Sequence, residues 1–346
     1  MRKTYKALQV SASGELEILE KKVQLPSSKQ VLIEVEVCGM CGADISDIDS
    51  AASSEVPRVP GHEVVGRITA KGEDVPNCWK IGQRVGVGRL AGYCHECMQC
   101  RKGQFHLCTN QLYVGATCEG GYAEMMLVLH TGLIAIPDEL SSEEAAPILC
   151  AGLATFNALK KSSAQAGDSV AILGIGGLGH MAIQYARKMG FKVIAIGRGE
   201  HDVKDLRHLG AHLFIDASRA DSIDQLKSAG GVQAIISTVP TASDVAPFLS
   251  ALSPQGKVIL LGAGKATLEI SPGGLVGGER CVEGSFTGTP YESERALDFS
   301  VLFEVIPRVE TTPMYLANEA LAKLRAGKVN YRMVLIMCKE LHADCS

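Results

Sequence analysis

SVAILGIGGLGH, residues 169–180, decides how this chain is read. An apolar run, SVAIL, leads straight into Gly174-Ile175-Gly176-Gly177-Leu178-Gly179, and a helical pattern, HMAIQYARKMG, follows at once. In a G-x-G-x-x-G loop set between strand and helix, the glycines permit a tight turn, close approach of a pyrophosphate, and close packing of helix on strand. The helix N-terminus then faces the phosphates. Alone, the pattern is weak, and a simple glycine-rich turn is its rival. Strand, loop and helix in the required order favour dinucleotide binding.

Working outward, further apolar runs alternate with helical patterns. KVIAI (192–196), LFI (213–215), AIIS (234–237) and KVILL (257–261) read as buried strands, with helices such as VKDLRHLGA between them. That alternation predicts an α/β fold with a doubly wound parallel sheet. Upstream the texture differs. QVLIEVEV (30–37) alternates apolar and polar, as a strand with one buried face does. HEVVGRITA, GQRVGVG and GGYAEMMLVL continue a short-stranded, glycine-punctuated pattern to about residue 137, which predicts a mostly β domain. Ser141-x-x-Glu144 is a capping box opening the helical run AAPILCAGLATFNALKK. After about residue 285 the alternation stops. ESERALDFSVLFEVI and NEALAKLRAGK read as helices before a last strand, YRMVLIM, and the tail CKELHADCS reads as a frayed end.

Composition bounds the function. A length of 346 residues suggests about two domains. With 46% hydrophobic and 21% charged residues, disorder is excluded for most of the chain. The 34 Lys+Arg against 38 Asp+Glu leave a net charge of −4, no footprint for nucleic acid or an anionic membrane. Apolar stretches are far too short to span a bilayer, and MRKTYKALQV lacks the apolar core of a signal peptide. A soluble, cytoplasmic protein is expected.

Two groups of residues carry chemistry besides the glycine loop. Cys94-x2-Cys97-x2-Cys100-x7-Cys108 places four of twelve cysteines in one short lobe. In a reducing compartment such a cluster reads as a metal site: four thiolates close a tetrahedral shell around zinc and leave no open position. Free thiols are the bland alternative. A nucleic-acid-binding finger would need basic neighbours, and only Arg101 and Lys102 are at hand. The second group is dispersed. Cys41, the pair His62-Glu63, and Cys150 could converge as three ligands and a nearby carboxylate, leaving room for a water on an open, catalytic zinc. By spacing alone the claim is poor, because lone cysteines are often buried hydrophobes.

These residues resemble the zinc-containing medium-chain alcohol dehydrogenases, over residues 5–337. The matching pieces are Cys41-Gly42-Ala43-Asp44, Gly61-His62-Glu63-Val64-Val65-Gly66, the four-cysteine lobe, Leu149-Cys150-Ala151-Gly152, the glycine loop and Tyr331-Arg332-Met333-Val334-Leu335. Ile175-Gly176-Gly177-Leu178-Gly179-His180 and Gly284-Ser285-Phe286-Thr287-Gly288-Thr289 look most like the cinnamyl-alcohol-dehydrogenase and aldehyde-reductase branch.

The resemblance implies a GroES-like catalytic domain (1–149 and 286–346) split by an inserted Rossmann domain (150–285). It implies catalytic zinc on Cys41, His62 and Cys150, with Glu63 beside the metal and Asp44 behind the ligands. Structural zinc falls to Cys94, Cys97, Cys100 and Cys108, giving two zinc ions per chain. Cys38 rivals Cys41, since both precede glycine; the family pattern Cys-Gly-x-Asp selects Cys41. The cofactor set is Gly174, Gly176, Gly177, Leu178, Gly179, Gly197 and Arg198, with Arg332 from the C-terminal match. The substrate implied is a small alcohol or aldehyde, and the assembly a homodimer or homotetramer.

Four positions depart from the family pattern. The proton-relay hydroxyl after the ligand cysteine is replaced by Ala43, and the relay histidine by Ser46, which leaves water or Ser46 to exchange the proton. A usual nicotinamide-contacting threonine is Ala154. An aromatic residue of the substrate pocket is Arg89; pointing inward, its charge would favour aldehydes bearing a carboxylate or several oxygens. The cofactor preference reads as NADP(H). The second strand ends in Gly197-Arg198-Gly199, without the carboxylate that bonds ribose hydroxyls in NAD-specific domains, and Arg198 could clamp a 2′-phosphate. Glu200 nearby tempers this. A zinc-stabilised, dinucleotide-binding protein without turnover is the rival reading, favoured by Ala43 and opposed by the intact Cys41, His62, Glu63 and Cys150.

Overall fold

A computed structural model describes residues 3–54, 56–199 and 203–337, so that Glu200 and the tail from Cys338 lie outside the described residues. The chain forms two compact units. One comprises Ala151–Thr287 with the short stretch Phe303–Val305; the other holds the remainder, up to Cys150 and from Gly288 onward.

The unit Ala151–Thr287 is built on six parallel strands. In chain order they are Ser169–Leu173, Lys192–Gly197, Leu213–Asp216, Val232–Ser237, Leu252–Leu260 and Cys281–Gly284, and their order across the sheet is 3-2-1-4-5-6. Val170, Ala171 and Ile172 are fully buried, as are Val193 to Ile196. Strands covered on both faces have no polar side to alternate with, which is why they read as unbroken apolar runs. The order reverses between Ser169–Leu173 and Val232–Ser237, the place where sheets of this kind open a ligand crevice at their carboxyl ends.

The other unit contains a seven-stranded, mostly antiparallel sheet whose centre is Gln30–Met40, flanked by Glu63–Lys71, Met125–Leu129 and Arg332–Ile336. The period-2 reading of that central strand is only half of what is seen. Val31, Ile33, Val35 and Val37 are buried, but so is Leu32, on the opposite face. Two elements went unread in the sequence. Thr4–Val10 and Leu16–Lys22 form a separate hairpin, and Gly42–Ala52 is a helix too rich in Ser and Asp to show an apolar period. The capping box is present as expected: the Ser141 hydroxyl accepts from the Glu144 N–H, and the Glu144 carboxylate from the Ser141 N–H. The run that it opens is not one helix. Ser142–Pro147 gives way to a π-turn over Ile148–Gly152 before Leu153–Lys161 resumes. No described helix is long and apolar enough to cross a membrane.

Candidate active site and cofactor cradle

Cys41 follows directly on the central strand Gln30–Met40 and caps the helix Gly42–Ala52. Across the sheet, Glu63 pairs with Gly39, which puts His62 and Glu63 beside Cys41. Gly39 is required there, because a Cβ at that position would lie 2.1 Å from Glu63 Oε2. Cys150 arrives from 109 residues away on the π-turn, whose extra residue re-aims the side chain just past Pro147. Single π-turns of this kind are frequent at functional sites.

One donor atom from each of Cys41, His62, Glu63 and Cys150 lies within 4.8 Å of the other three. Cys41 Sγ and Cys150 Sγ are 3.8 Å apart, and His62 Nε2 is 3.3 Å from Cys150 Sγ. Zinc–sulfur bonds of about 2.3 Å at tetrahedral angles give an S···S edge of about 3.8 Å. A disulfide would need about 2.05 Å. The donor set therefore fits a tetrahedral metal ion. Cys38 is excluded from it, its thiol being fully buried and turned onto the Gly39 carbonyl.

Behind the donors stands a buried polar layer. Asp44 is fully buried, and its carboxylate accepts from the His62 Nδ1–H (2.7 Å), the Cys41 N–H (2.7 Å) and the Tyr122 hydroxyl (2.9 Å). The first of these bonds fixes the tautomer that leaves Nε2 free to ligate. Tyr122 escaped the sequence reading, because nothing local marks it. Burial pulls the His62 imidazole down, but the Asp44 carboxylate outweighs it and holds the imidazole well above the usual range. The hydrogen bond from Cys150 pulls the Cys41 thiol well below its usual range, and the same bond drives Cys150 well above. Protons are thus already shared unequally among these donors, and a divalent cation would displace them. Burial lifts the Glu63 carboxyl to about 7 against the opposing pull of Arg332.

Arg332 was expected among the cofactor contacts. Its strand pairs Met333 with Met40, and this register buries the guanidinium against Glu63 and the Met40 carbonyl. The cation thereby offsets a buried carboxylate at the metal side, a position the sequence assignment did not include. Glu63 Oε2 itself is buried with no hydrogen-bond partner, as suits an oxygen kept for a cation.

Ser46 and Ala43 lie exposed on the helix Gly42–Ala52. The residue from that helix that does come close is Asp47, whose carboxylate lies within 4.8 Å of both Asp44 and the His62 ring nitrogen. Arg89 does not bring a free positive charge. It makes a two-pronged ion pair with Asp47, with side-chain exposures of 19% and 12%, and lies over the Tyr113 ring. A neutral pair has no reason to select acidic aldehydes, so that expectation loses its premise.

The cysteine lobe forms a second donor set. Its Sγ···Sγ distances are 3.9 Å (Cys94–Cys100), 3.9 Å (Cys97–Cys108) and 3.6 Å (Cys94–Cys108), again near a tetrahedral edge. Backbone N–H groups of Glu96 and Cys97 point at Cys94 Sγ, and that of Cys100 at Cys97 Sγ. The Cys100 N–H is the main reason that the Cys97 thiol drops to about 5. Four sulfur donors with no fifth such group among the described residues fit a closed, structural site.

In the other unit, the glycine loop divides its labour as the sequence predicts. Gly174 has φ +97°, a Cβ on Gly179 would meet the Gly174 carbonyl oxygen at 1.9 Å, and a Cβ on Gly176 would meet nothing within 4 Å. Open space over the middle glycine is what a pyrophosphate needs. The helix Gly179–Lys188 has no side chain capping its N-terminus, so its first N–H groups are free of that competition. The loop opens on a cavity of about 580 Å³ that also takes in Gly197, Arg198, Thr241 and Asp244. These features fit a dinucleotide.

Fold and site together define a zinc-type, dinucleotide-dependent oxidoreductase. Residues 27–138 match the alcohol dehydrogenase GroES-like domain and residues 177–301 the zinc-binding dehydrogenase domain. The alcohol dehydrogenase notN of an Aspergillus species is 36% identical over 96% of this chain and 98% of its own. The aldehyde reductase AdhA of Synechocystis is 34% identical over 97% and 98%. Among solved structures, that of the cinnamyl alcohol dehydrogenase from Helicobacter pylori, complexed with NADP(H), aligns with a TM-score of 0.86 at 29% identity, covering 98% of this chain and all of that one. The chain belongs to the zinc-containing medium-chain alcohol dehydrogenase family, and its chemistry is alcohol–aldehyde oxidoreduction.

Proposed function

We propose that this chain holds two zinc ions and interconverts an alcohol and an aldehyde or ketone with NADP(H) in preference to NAD(H). The observation that carries the reading is the cluster of buried Cys41, His62 and Glu63 with half-buried Cys150, at a spacing suited to a tetrahedral cation. When bound, such a zinc polarises the substrate oxygen while nicotinamide gives or takes hydride. The chain's own part is orientation and charge. Asp44 holds His62 and the start of the helix behind Cys41, and Arg332 compensates Glu63. Arg89 and Asp47 form a polar, net-neutral wall close to the donors.

A screen of aldehydes and alcohols with both nicotinamide cofactors, on protein assayed for zinc, tests the reading. Close to two zinc ions per chain and cofactor-dependent turnover are expected; a dinucleotide-binding protein with no turnover on any substrate would overturn it. Ala43 carries no hydroxyl, so protons exchange through water over the exposed face that bears it and Ser46. A positioned acid–base group contributes about 10²–10⁴-fold. Ala43→Thr should therefore raise kcat near neutral pH, and an unchanged pH–rate profile would show that the relay is not limiting. For the cofactor, kcat/KM should favour NADPH, and Arg198→Asp should flatten or reverse the ratio.

A further inference from the structure

Arg198 does not stand alone in the cofactor cavity. Its Nη2 is paired with the carboxylate of Asp244, which comes from the short helix Ala242–Val245 some 46 residues on. The two are the charged residues among the described lining of the 580 Å³ cavity, which they share with Gly174 and Gly176 of the phosphate loop. Arg198 sits just past the end of the second strand, where dinucleotide folds of this order receive the adenosine ribose.

We infer that Asp244 is a selectivity residue for this cofactor site: its negative charge beside Arg198 holds down the preference for a 2′-phosphorylated dinucleotide. The inference rests on reading the cavity as the NADP(H) site.

The argument turns on which of two effects of Asp244 is larger. Holding Arg198 in place helps phosphate binding, because less side-chain freedom is lost on clamping. The carboxylate also opposes the phosphate directly, and a phosphate monoester brings nearly two negative charges where a ribose hydroxyl brings none. Arg198 is 68% exposed on its side chain, and among the described residues it bonds through one nitrogen, Nη2, so the restraint that they place on it is slight. Asp244 is 16% exposed, and its charge is screened less than that of a free surface carboxylate. Repulsion therefore outweighs positioning. Among the described residues, a second carboxylate at this end of the sheet, Asp216, is already committed: its Oδ1 accepts from the Gly199 N–H, the Ser218 N–H and the Ser218 hydroxyl. It braces the loop that carries Arg198, which among the described residues leaves Asp244 as the adjustable charge.

Asp244→Asn separates the two effects, since the amide oxygen still accepts from Arg198 while the charge is gone. The probes are 2′,5′-ADP and 5′-AMP, titrated calorimetrically into the holoenzyme. Asp244→Asn should raise the ratio of their affinities, 2′,5′-ADP over 5′-AMP, roughly five- to tenfold, and the gain should shrink at high salt. An unchanged or lowered ratio overturns the inference, and a lowered one would assign Asp244 to positioning. Arg198→Ala tests the underlying reading separately. If it leaves 2′,5′-ADP affinity untouched, the 2′-phosphate does not bind at Arg198, and the cofactor assignment fails with it. A thermal midpoint within a few degrees of the parent's shows that each variant has folded, and the ratio of the two affinities is then read whatever the absolute 5′-AMP affinity.

Discussion

His62→Ala lowers turnover by about a thousandfold or more while the protein keeps its melting temperature within a few degrees. The lost Lewis-acid contribution is several kcal/mol of charge stabilisation, and each 1.36 kcal/mol is about tenfold in rate. The fold survives because His62 contributes an edge of the cluster rather than the packing around it. The apolar residues nearby, among them Met40, Val64 and Ile48, are fully buried in the core of the sheet unit, which does not include His62. Zinc content should fall from about two to about one per chain. Asp44→Asn should act more weakly, by about 10–100-fold, as is usual for a group that orients a ligand without touching the metal. The checks are kcat/KM on the best substrate, zinc by elemental analysis, and the thermal midpoint. An alanine variant retaining both zinc ions and most of its activity would remove His62 from the site.

Cys100→Ala has the opposite signature, a large loss of stability ahead of any effect on chemistry. Four-thiolate sites bind zinc with about 10–16 kcal/mol in isolated zinc-binding peptides, and that energy is folding energy. A whole domain is stable by only about 5–15 kcal/mol, so losing even a third of the lobe's share should lower the melting temperature by about 10 °C or more. The damage should start locally. Cys94, Cys97, Cys100 and Cys108 lie on a short helix, Met98–Arg101, and on turns whose few apolar anchors include the stacked Tyr93 and Phe105 rings, 4.3 Å apart. Limited proteolysis should cut first within this lobe, and the second zinc should remain at the other cluster. Two zinc ions retained in the variant would show that the lobe is not a metal site.

Reading order explains what was visible before the fold was. The glycine loop and the cysteine lobe are local: their residues lie within a few positions of one another, so spacing alone implies geometry. The central strands were legible because burial on both faces forces unbroken apolar runs. The capping box at Ser141 and Glu144 was legible because it closes over three residues. The helix Gly42–Ala52 and the π-turn at Cys150 were not. In the first, polar residues serve the site and erase the apolar period; in the second, the turn leaves no mark in a uniformly apolar segment.

By itself the sequence determined the parallel αβ core, the cysteine lobe, and the lack of a carboxylate at the very end of the second strand, all of which follow from local spacing or periodicity; the dispersed donor set needed the family pattern. Only the tertiary structure decided which distant charges neutralise one another. Arg332 meets Glu63 across 269 positions because one strand register sets Met333 opposite Met40. Asp47 meets Arg89 across 42 positions, and Asp244 meets Arg198 across 46. Each pairing changes a residue's surroundings: Arg332 becomes the counter-ion of Glu63, Arg89 half of a neutral pair with Asp47, and Arg198 the partner of the Asp244 carboxylate. A charge acts through its surroundings over several ångströms, and in a folded chain those surroundings come from segments that the linear order keeps far apart.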